Sequence, residues 1–153
     1  MSDPLWFDPA KCLIGGQWVP PLSGETLPLV NPSDGTQICQ IARGQFEDVD
    51  AAVAAADAAL SGDWGRATAL ERGRILTKIG QLVLKKVDAL AEVEAMDVGK
   101  PLTQARNDAI ALARYCEFYG GAADKVHGAT IPYLDGYTVY TLREPHGATG
   151  HIV

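Results

Sequence analysis

The sequence has little positive charge. Its 153 residues include 13 Lys and Arg against 19 Asp and Glu, which gives a formal net charge of -6. An acidic chain is repelled by phosphate backbones, and this argues against a nucleic-acid partner. The densest basic spot, Lys85 with Lys86, is too small to attract an anionic membrane surface. We therefore expect neither nucleic acid nor membrane as a partner.

Long apolar runs are missing as well. No segment approaches the roughly 18 apolar residues that a membrane helix needs. The first four residues, Met-Ser-Asp-Pro, lack the basic and apolar blocks of a signal peptide. On these grounds we expect a cytoplasmic protein.

Cysteine is scarce, with only Cys12, Cys39 and Cys116. The odd count and wide spacing argue against both a disulfide framework and a zinc site. Lys11 directly precedes Cys12, but no His or Lys stands near Cys39 or Cys116 in sequence to activate a thiolate. We expect each to be a small packing residue rather than a nucleophile.

Short strands are predicted at both ends of the chain. Residues 12–19 have the pattern of two strands joined by a Gly-Gly turn. Further extended runs cover residues 26–30 and 38–42, separated by an Asn-Pro-Ser-Asp-Gly turn signal. Near the other end, residues 138–142 are rich in β-branched and aromatic side chains, as strands prefer.

The middle of the chain has helical spacing. One predicted helix is capped by Asp48 and ends at residues 61–62, and a second begins with a capping box of Thr68 and Glu71. A third is expected from an N-cap at Asp88 to Gly99, and a fourth over residues 108–124. The side chains predicted to be buried are Ile75, Leu76, Ile79, Leu82 and Val83 on the second helix, and Ala111, Tyr115, Phe118 and Ala122 on the fourth.

This order of elements does not make a self-contained parallel α/β domain. Four helices follow one another with no buried parallel strand between them, so their apolar faces lack a sheet to pack on. The chain also ends at Val153 on an apolar stretch without a turn. We expect a piece of a larger fold.

Five motifs appear in the order and spacing of a known family. They are Ile-Gly-Gly-Gln-Trp-Val at 14–19, Val-Asn-Pro-Ser-Asp-Gly at 30–35, Met-Asp-Val-Gly-Lys-Pro at 96–101, Ala-Ala-Asp-Lys at 122–125 and Arg-Glu-Pro-His-Gly-Ala-Thr-Gly at 143–150. Each alone is weak, but together they span nearly the whole chain. The sequence resembles the opening portion of an NAD(P)-dependent aldehyde dehydrogenase.

The resemblance implies the fold and its division. The expected class is α/β: the N-terminal segment of the aldehyde dehydrogenase fold, mostly helical with about four helices, with short antiparallel strands at both ends and without the main parallel sheet. Residues 1–137 would belong to the cofactor-binding domain, and 138–147 to an arm that pairs with a neighbouring subunit. Residues 148–153 would begin the first sheet strand.

It also implies an activity that the segment cannot perform alone. Family members oxidise an aldehyde to a carboxylic acid with NAD or NADP, as dimers or tetramers. A cysteine thiolate attacks the aldehyde, an asparagine helps hold the oxyanion, and a glutamate activates water. No residue here matches those groups, so we assign no catalytic residue and expect the 153 residues to be inactive by themselves.

The resemblance implies two ligands for a cation. Some family members bind a monovalent or divalent cation at the positions matched by Asp97 and by the main-chain carbonyl of Val30. Hard cations prefer oxygen ligands, which suits both groups. The alternative is that Asp97 bonds to nearby backbone at a helix end.

Two further expectations carry alternatives of their own. Val153 matches a strand end beside the nicotinamide, so its backbone would contact NAD(P); the alternative is a packing residue. Residues 138–142 would pair with another subunit, or else form a hairpin within the chain.

Two other functions stay open from the sequence. A gene that stops at Val153 would encode a non-catalytic interaction module that binds a full-length relative. A helical binding domain unrelated to dehydrogenases requires the five motifs to be coincidental.

Overall fold

The first third of the chain is built from two β-hairpins, as its turn residues predict. The computed structural model describes residues 5–152. Strands β1 (Cys12–Ile14) and β2 (Gln17–Val19) are antiparallel, and Gly15 and Gly16 make the turn with positive φ. Strands β3 (Thr26–Val30) and β4 (Gln37–Ala42) form the second antiparallel pair, with a register shift between Leu29 and Val30.

Five helices follow in sequence, four of them long. They are α1 (Phe46–Ser61), the single turn α2 (Asp63–Arg66), α3 (Ala69–Lys85), α4 (Val87–Val98) and α5 (Leu102–Ala122). The chain then forms a third antiparallel pair, β5 (Thr130–Ile131) with β6 (Val139–Tyr140). All sheets in residues 5–152 are two-stranded and antiparallel, which confirms the predicted class.

The predicted helix ends are right where the local signal is strong. The Glu71 N–H donates to the Thr68 hydroxyl, and the Glu71 carboxylate accepts from the Thr68 N–H, so the capping box of α3 is confirmed. The left-handed glycine that ends α4 is also confirmed, with φ of 71° at Gly99.

Three predicted helix starts are wrong. Helix α1 begins at Phe46 with Gln45 as its N-cap, and Asp48 occupies the third helical position. Its carboxylate accepts from the Gln45 N–H at 2.8 Å, so Asp48 closes a capping box instead of opening the helix. Helix α4 starts one residue before Asp88, at Val87. Helix α5 starts six residues before the predicted position, at Leu102, with Pro101 as its N-cap.

Helices α3 and α5 pack antiparallel along a row of small side chains. We call this row the small-residue seam; its members are Gly73, Thr77 and Gly80 on α3 and Ala113, Cys116 and Gly120 on α5. A Cβ placed on Gly80 would lie 2.9 Å from the Ala113 carbonyl oxygen, and one placed on Gly120 would lie 2.7 Å from the Gly73 carbonyl oxygen. The two backbones therefore touch almost directly.

The large apolar side chains predicted to be buried on α3 and α5 lie outside this seam. On α3 the side chains of Ile75, Ile79 and Leu82 are about half exposed, and on α5 Tyr115 and Phe118 are 62% and 68% exposed. The buried positions are instead small or medium-sized: Val87, Ala91, Ala105, Ala109, Ala113 and Cys116. The predicted buried stripes are therefore wrong at their large exposed members, whereas Leu76, Val83, Ala111 and Ala122 are partly buried.

Candidate functional site

The turn after β3 holds the Val30 end of the predicted cation site. The Asn31 N–H donates to the Thr36 carbonyl at 2.8 Å, and the Asn31 carbonyl accepts from the Gly35 N–H at 2.8 Å. Asp34 accepts from the backbone N–H and the hydroxyl of Thr36, and these bonds hold its pKa below the ordinary value. The turn that directly follows Val30 is thus fixed by backbone and side-chain hydrogen bonds of its own residues.

The C-terminus of α4 packs against this turn. Gly99 takes the left-handed conformation, and a Cβ built on it would lie 2.9 Å from Cγ of Pro32. A side chain at residue 99 would therefore collide with the turn as well as strain the backbone. Two of the five motifs, 30–35 and 96–101, are brought into contact here.

Asp97 lies on the wall of a cavity between α4 and the β3–β4 hairpin. The cavity has a volume of about 250 Å³, and Leu29, Cys39 and Met96 are among its apolar lining residues. Within residues 5–152 the Asp97 carboxylate accepts no hydrogen bond, so the alternative role, a bond to nearby backbone, is not seen. Leu29 directly precedes Val30, so Asp97 lies beside the strand that carries the second predicted ligand.

The structure describes no complete set of side-chain ligands for a metal. No group of three or more His, Cys, Asp or Glu side chains in residues 5–152 is arranged to hold one. A cation at Asp97 would therefore rest on one carboxylate together with main-chain carbonyls, a donor set that suits a hard cation.

Lys100 joins α4 to α5 beside this site. Its ammonium forms an ion pair with Glu94 of α4 and a second, at 2.9 Å, with Asp108 of α5. The side chain is only 25% exposed, and the hydrogen bonds to Glu94 and then Asp108 raise the pKa of Lys100. Sequence reasoning treated Lys100 only as part of a motif; the acidic residues on both sides of it were the available signal.

The fifth motif lies along α2 and α3. Arg143, Glu144 and Pro145 share an open groove of about 530 Å³ with Trp64 and with Arg72, whose guanidinium is 5.9 Å from the Trp64 ring centre. Its lining carries two guanidinium groups, those of Arg72 and Arg143, and one carboxylate, that of Glu144.

The two remaining predictions concern Val153 and the strand at residues 138–142. Val153 lies outside the described residues, and no strand is assigned to residues 148–152. Residues 139–140 pair with residues 130–131, so the hairpin alternative for this segment is observed. Pairing with another subunit stays a prediction.

The three thiols are not gathered into a reactive site. Cys116 is buried in the small-residue seam, Cys39 lines the cavity at Asp97, and Cys12 lies in β1. The burial of Cys116 confirms its prediction as a packing residue. None of the helices in the described part of the chain has the length and apolar character to cross a bilayer.

Comparison with known proteins identifies the family. The sequence model of the aldehyde dehydrogenase family matches residues 18–153. Hydroxyisobutyraldehyde dehydrogenase of Mycolicibacterium austroafricanum is 40% identical over 95% of this chain and 29% of its own length. Aldehyde dehydrogenase family 2 member B4, mitochondrial, of Arabidopsis thaliana is 42% identical over 94% of this chain and 27% of its own length.

Solved structures with a similar fold belong to the same family. A Burkholderia cenocepacia protein, provisionally named an aldehyde dehydrogenase, superposes with a TM-score of 0.86 at 56% identity, over 90% of this chain and 29% of its own. PnpE, crystallised with nicotinamide adenine dinucleotide, gives a TM-score of 0.83 at 35% identity, over 90% of this chain and 28% of its own. The chain spans less than a third of these relatives and corresponds to their N-terminal part. It belongs to the aldehyde dehydrogenase family.

Proposed function

We propose that this chain is the N-terminal portion of an NAD(P)-dependent aldehyde dehydrogenase that oxidises an aldehyde to a carboxylic acid, and that it is inactive alone. One observation carries the proposal: the family match runs from residue 18 to residue 153, yet the chain spans only about 29% of the relatives' length. The groups that perform the chemistry belong to the part of the relatives that has no counterpart here.

The described thiols support inactivity. Cys116 is enclosed between two helix backbones, where an aldehyde has no access. Cys39 lies in an apolar cavity on the hairpin side of α4, far in sequence from any motif that the resemblance connects with catalysis. A nucleophilic thiolate needs both access and a nearby base or cation, and Cys116 in the small-residue seam lacks that access.

The segment would contribute structure and assembly. The α3–α5 pair would form a helical layer of the cofactor-binding domain, and residues 138–147 an arm for a dimer or tetramer. An edge strand left open by a two-stranded hairpin suits strand addition from a neighbour.

The cofactor would be NAD or NADP, which supplies the hydride acceptor when bound. In this chain we assign only the backbone of Val153 to contact it. PnpE, one of the structural neighbours, binds NAD. Which of the two cofactors is used depends on residues that the chain does not contain.

The cation site would use Asp97 and the Val30 carbonyl, and a monovalent ion is the better fit because one carboxylate leaves little excess negative charge. The cytoplasmic location stays a prediction, and some relatives carry the word mitochondrial in their names.

The direct test is to read the gene beyond the codon for Val153 and to express the whole reading frame. We expect the frame to continue to about the relatives' length, and its product to reduce NAD or NADP in the presence of aldehydes. The chain of 153 residues, purified alone, serves as the inactive control. A full-length product that reduces neither cofactor with any aldehyde would overturn the proposal.

The second candidate is a non-catalytic interaction module. The exposed apolar side chains of α3 and α5 favour a chain that binds another protein. A stop codon directly after Val153 would support it over the enzyme.

A further inference from the structure

A pocket rich in cations lies between α3 and the end of α5. Its volume is about 370 Å³, and Arg74, Lys78 and Lys125 bring three cations to it against the single carboxylate of Asp124. Gly121 lines it as well. We call it the cationic pocket. Because the whole chain carries a net charge of -6, this local excess of positive charge runs against the overall balance.

The helix pair brings the three cations to one place. Arg74 and Lys78 are four residues apart on α3, and residues at that spacing lie on the same side of a helix. The turn after α5 is closed by a hydrogen bond of 2.8 Å from the Lys125 N–H to the Ala122 carbonyl, and it carries Lys125 to the same pocket. One bound group can therefore meet cations from both helices.

Two of these cations have no partner in the described part of the chain. Arg74 and Lys78 are exposed, and neither forms an ion pair or a hydrogen bond with a residue of the range 5–152. Glu71, one turn before Arg74, has its carboxylate hydrogen-bonded to the N-cap residue of α3. The third cation pairs with Asp124 at 2.5 Å. The guanidinium and one ammonium are thus available to an anion.

Gly121 keeps part of the pocket open. A Cβ placed on it would meet no atom within 4 Å, whereas one placed on the neighbouring Gly120 would collide with the Gly73 carbonyl of α3. Gly121 also lacks the positive φ of a glycine that ends a helix. Glycine weakens a helix relative to alanine, so its presence here needs another reason. Its place in the pocket supplies one, because a missing side chain leaves space beside the cations.

From these observations we propose that the cationic pocket binds the phosphate group of a small soluble molecule. A phosphate monoester carries almost two negative charges at neutral pH, which matches the excess of cations in the pocket. Guanidinium and ammonium groups both bind phosphate oxygens well. The volume of the pocket lies within the range of small-molecule sites. This ligand is additional to the aldehyde and the cofactor, and the inference does not depend on aldehyde oxidation.

The charge test is calorimetric titration of the 153-residue chain with inorganic pyrophosphate at an ionic strength held constant with sodium chloride. Arg74→Gln and Lys78→Gln should each weaken binding by about tenfold, because each removes one charged partner of the phosphate. Lys85→Gln is the matched control, since it removes a cation from α3 outside the pocket. Equal weakening by all three variants would show that pyrophosphate responds to net charge alone, and it would overturn the proposal. So would a chain that binds no pyrophosphate.

The shape test leaves every charge in place. Gly121→Leu puts a side chain into the open part of the pocket, and it should weaken pyrophosphate binding by about tenfold. The far-ultraviolet circular dichroism should stay unchanged, because the new Cβ meets no other atom. Asn107→Leu, at an exposed position of α5 outside the pocket, is the matched control and should bind normally. A Gly121→Leu variant that binds as well as this control would contradict the assignment.

Two further measurements separate the possible sources of the phosphate and the two proposals. Sedimentation of the chain with phosphatidylcholine vesicles that contain phosphatidic acid, without binding of pyrophosphate, would overturn a soluble ligand. In the product of the whole reading frame, the titration is repeated with saturating NAD so that the cofactor site is filled. Loss of the Lys78-dependent binding there would overturn the inference. A long protein that keeps this binding but oxidises no aldehyde would defeat only the proposed function.

Discussion

The two consecutive glycines near the end of α5 make opposite predictions. Gly120 lies in the small-residue seam, whereas a Cβ on Gly121 would meet nothing within 4 Å. A Cβ on Gly120 would lie 2.5 Å from the Thr77 hydroxyl oxygen and 2.7 Å from the Gly73 carbonyl oxygen. The pair Gly120→Ala and Gly121→Ala therefore changes the same atoms in the same helix turn and differs only in what the new methyl group meets.

The size of the destabilisation by Gly120→Ala depends on how far Thr77 and the Gly73 carbonyl can move away from the new methyl group. The Thr77 hydroxyl can rotate away only by giving up its 3.0 Å hydrogen bond to the Gly73 carbonyl. The Gly73 carbonyl is backbone and cannot rotate, so reaching ordinary contact at about 3.4 Å requires the helices to separate by about 0.7 Å. Overpacking of this kind costs about 1–3 kcal/mol of unfolding free energy. Alanine recovers up to about 1 kcal/mol through its helix propensity.

The assay is thermal or urea unfolding followed by circular dichroism. We expect Gly121→Ala to be neutral or to stabilise by up to about 1 kcal/mol, and Gly120→Ala to be the less stable of the two by about 1–3 kcal/mol. For a chain of this size each kcal/mol shifts the melting temperature by about 2–4 °C. Equal stability of the two variants, or a more stable Gly120→Ala, would refute direct backbone contact between α3 and α5.

Three further predictions concern charged groups. The Asp48 carboxylate accepts hydrogen bonds from the N–H groups of Gln45 and Leu22, and these bonds lower its pKa. The stability that they contribute is therefore complete above pH 3.8 and is lost as the pH falls below that value. Asp48→Asn should weaken the fall of melting temperature at acid pH, and an unchanged fall would contradict these hydrogen bonds. The pKa of Lys100 is raised, so the stability that its ion pairs contribute is complete below pH 10.5 and is lost at more alkaline pH. Lys100→Met should lower the melting temperature at neutral pH, and by less in high salt. A loss that does not depend on salt would argue against the ion pairs. In the full-length protein, sodium or magnesium should raise the melting temperature above its value in an equal concentration of choline. Asp97→Asn should abolish this rise, and a rise that persists in the variant would place the cation elsewhere.

Local signals in the sequence predicted the local structure well. The Gly15-Gly16 hairpin, the Thr68–Glu71 capping box and the Gly99 helix end are each decided within a few residues, and each is confirmed. The resemblance, which rests on five motifs, likewise gave the family and the fold class. The contact between the turn at Pro32 and Gly99 joins residues far apart in sequence, and only the structure shows it.

Helical periodicity did not identify which side of α5 is buried. Helix α5 has a small-residue stripe through Ala113 and Cys116 and a large aromatic stripe through Tyr115 and Phe118, roughly opposite each other. The helical spacing of Ala111, Tyr115, Phe118 and Ala122 predicted the aromatic stripe as the buried one. In this chain the helices meet through their small residues, because close approach of two backbones requires side chains that leave room.

We propose that residues 1–153 scaffold aldehyde oxidation in a longer subunit and do not perform it themselves. The most direct measurement is NADH formation, followed by absorbance, when the purified 153-residue chain is mixed with an aldehyde and NAD. No NADH above the buffer blank is the predicted result. Sustained turnover that scales with the concentration of the chain, and that survives removal of trace full-length enzyme, would show that this segment performs the oxidation itself.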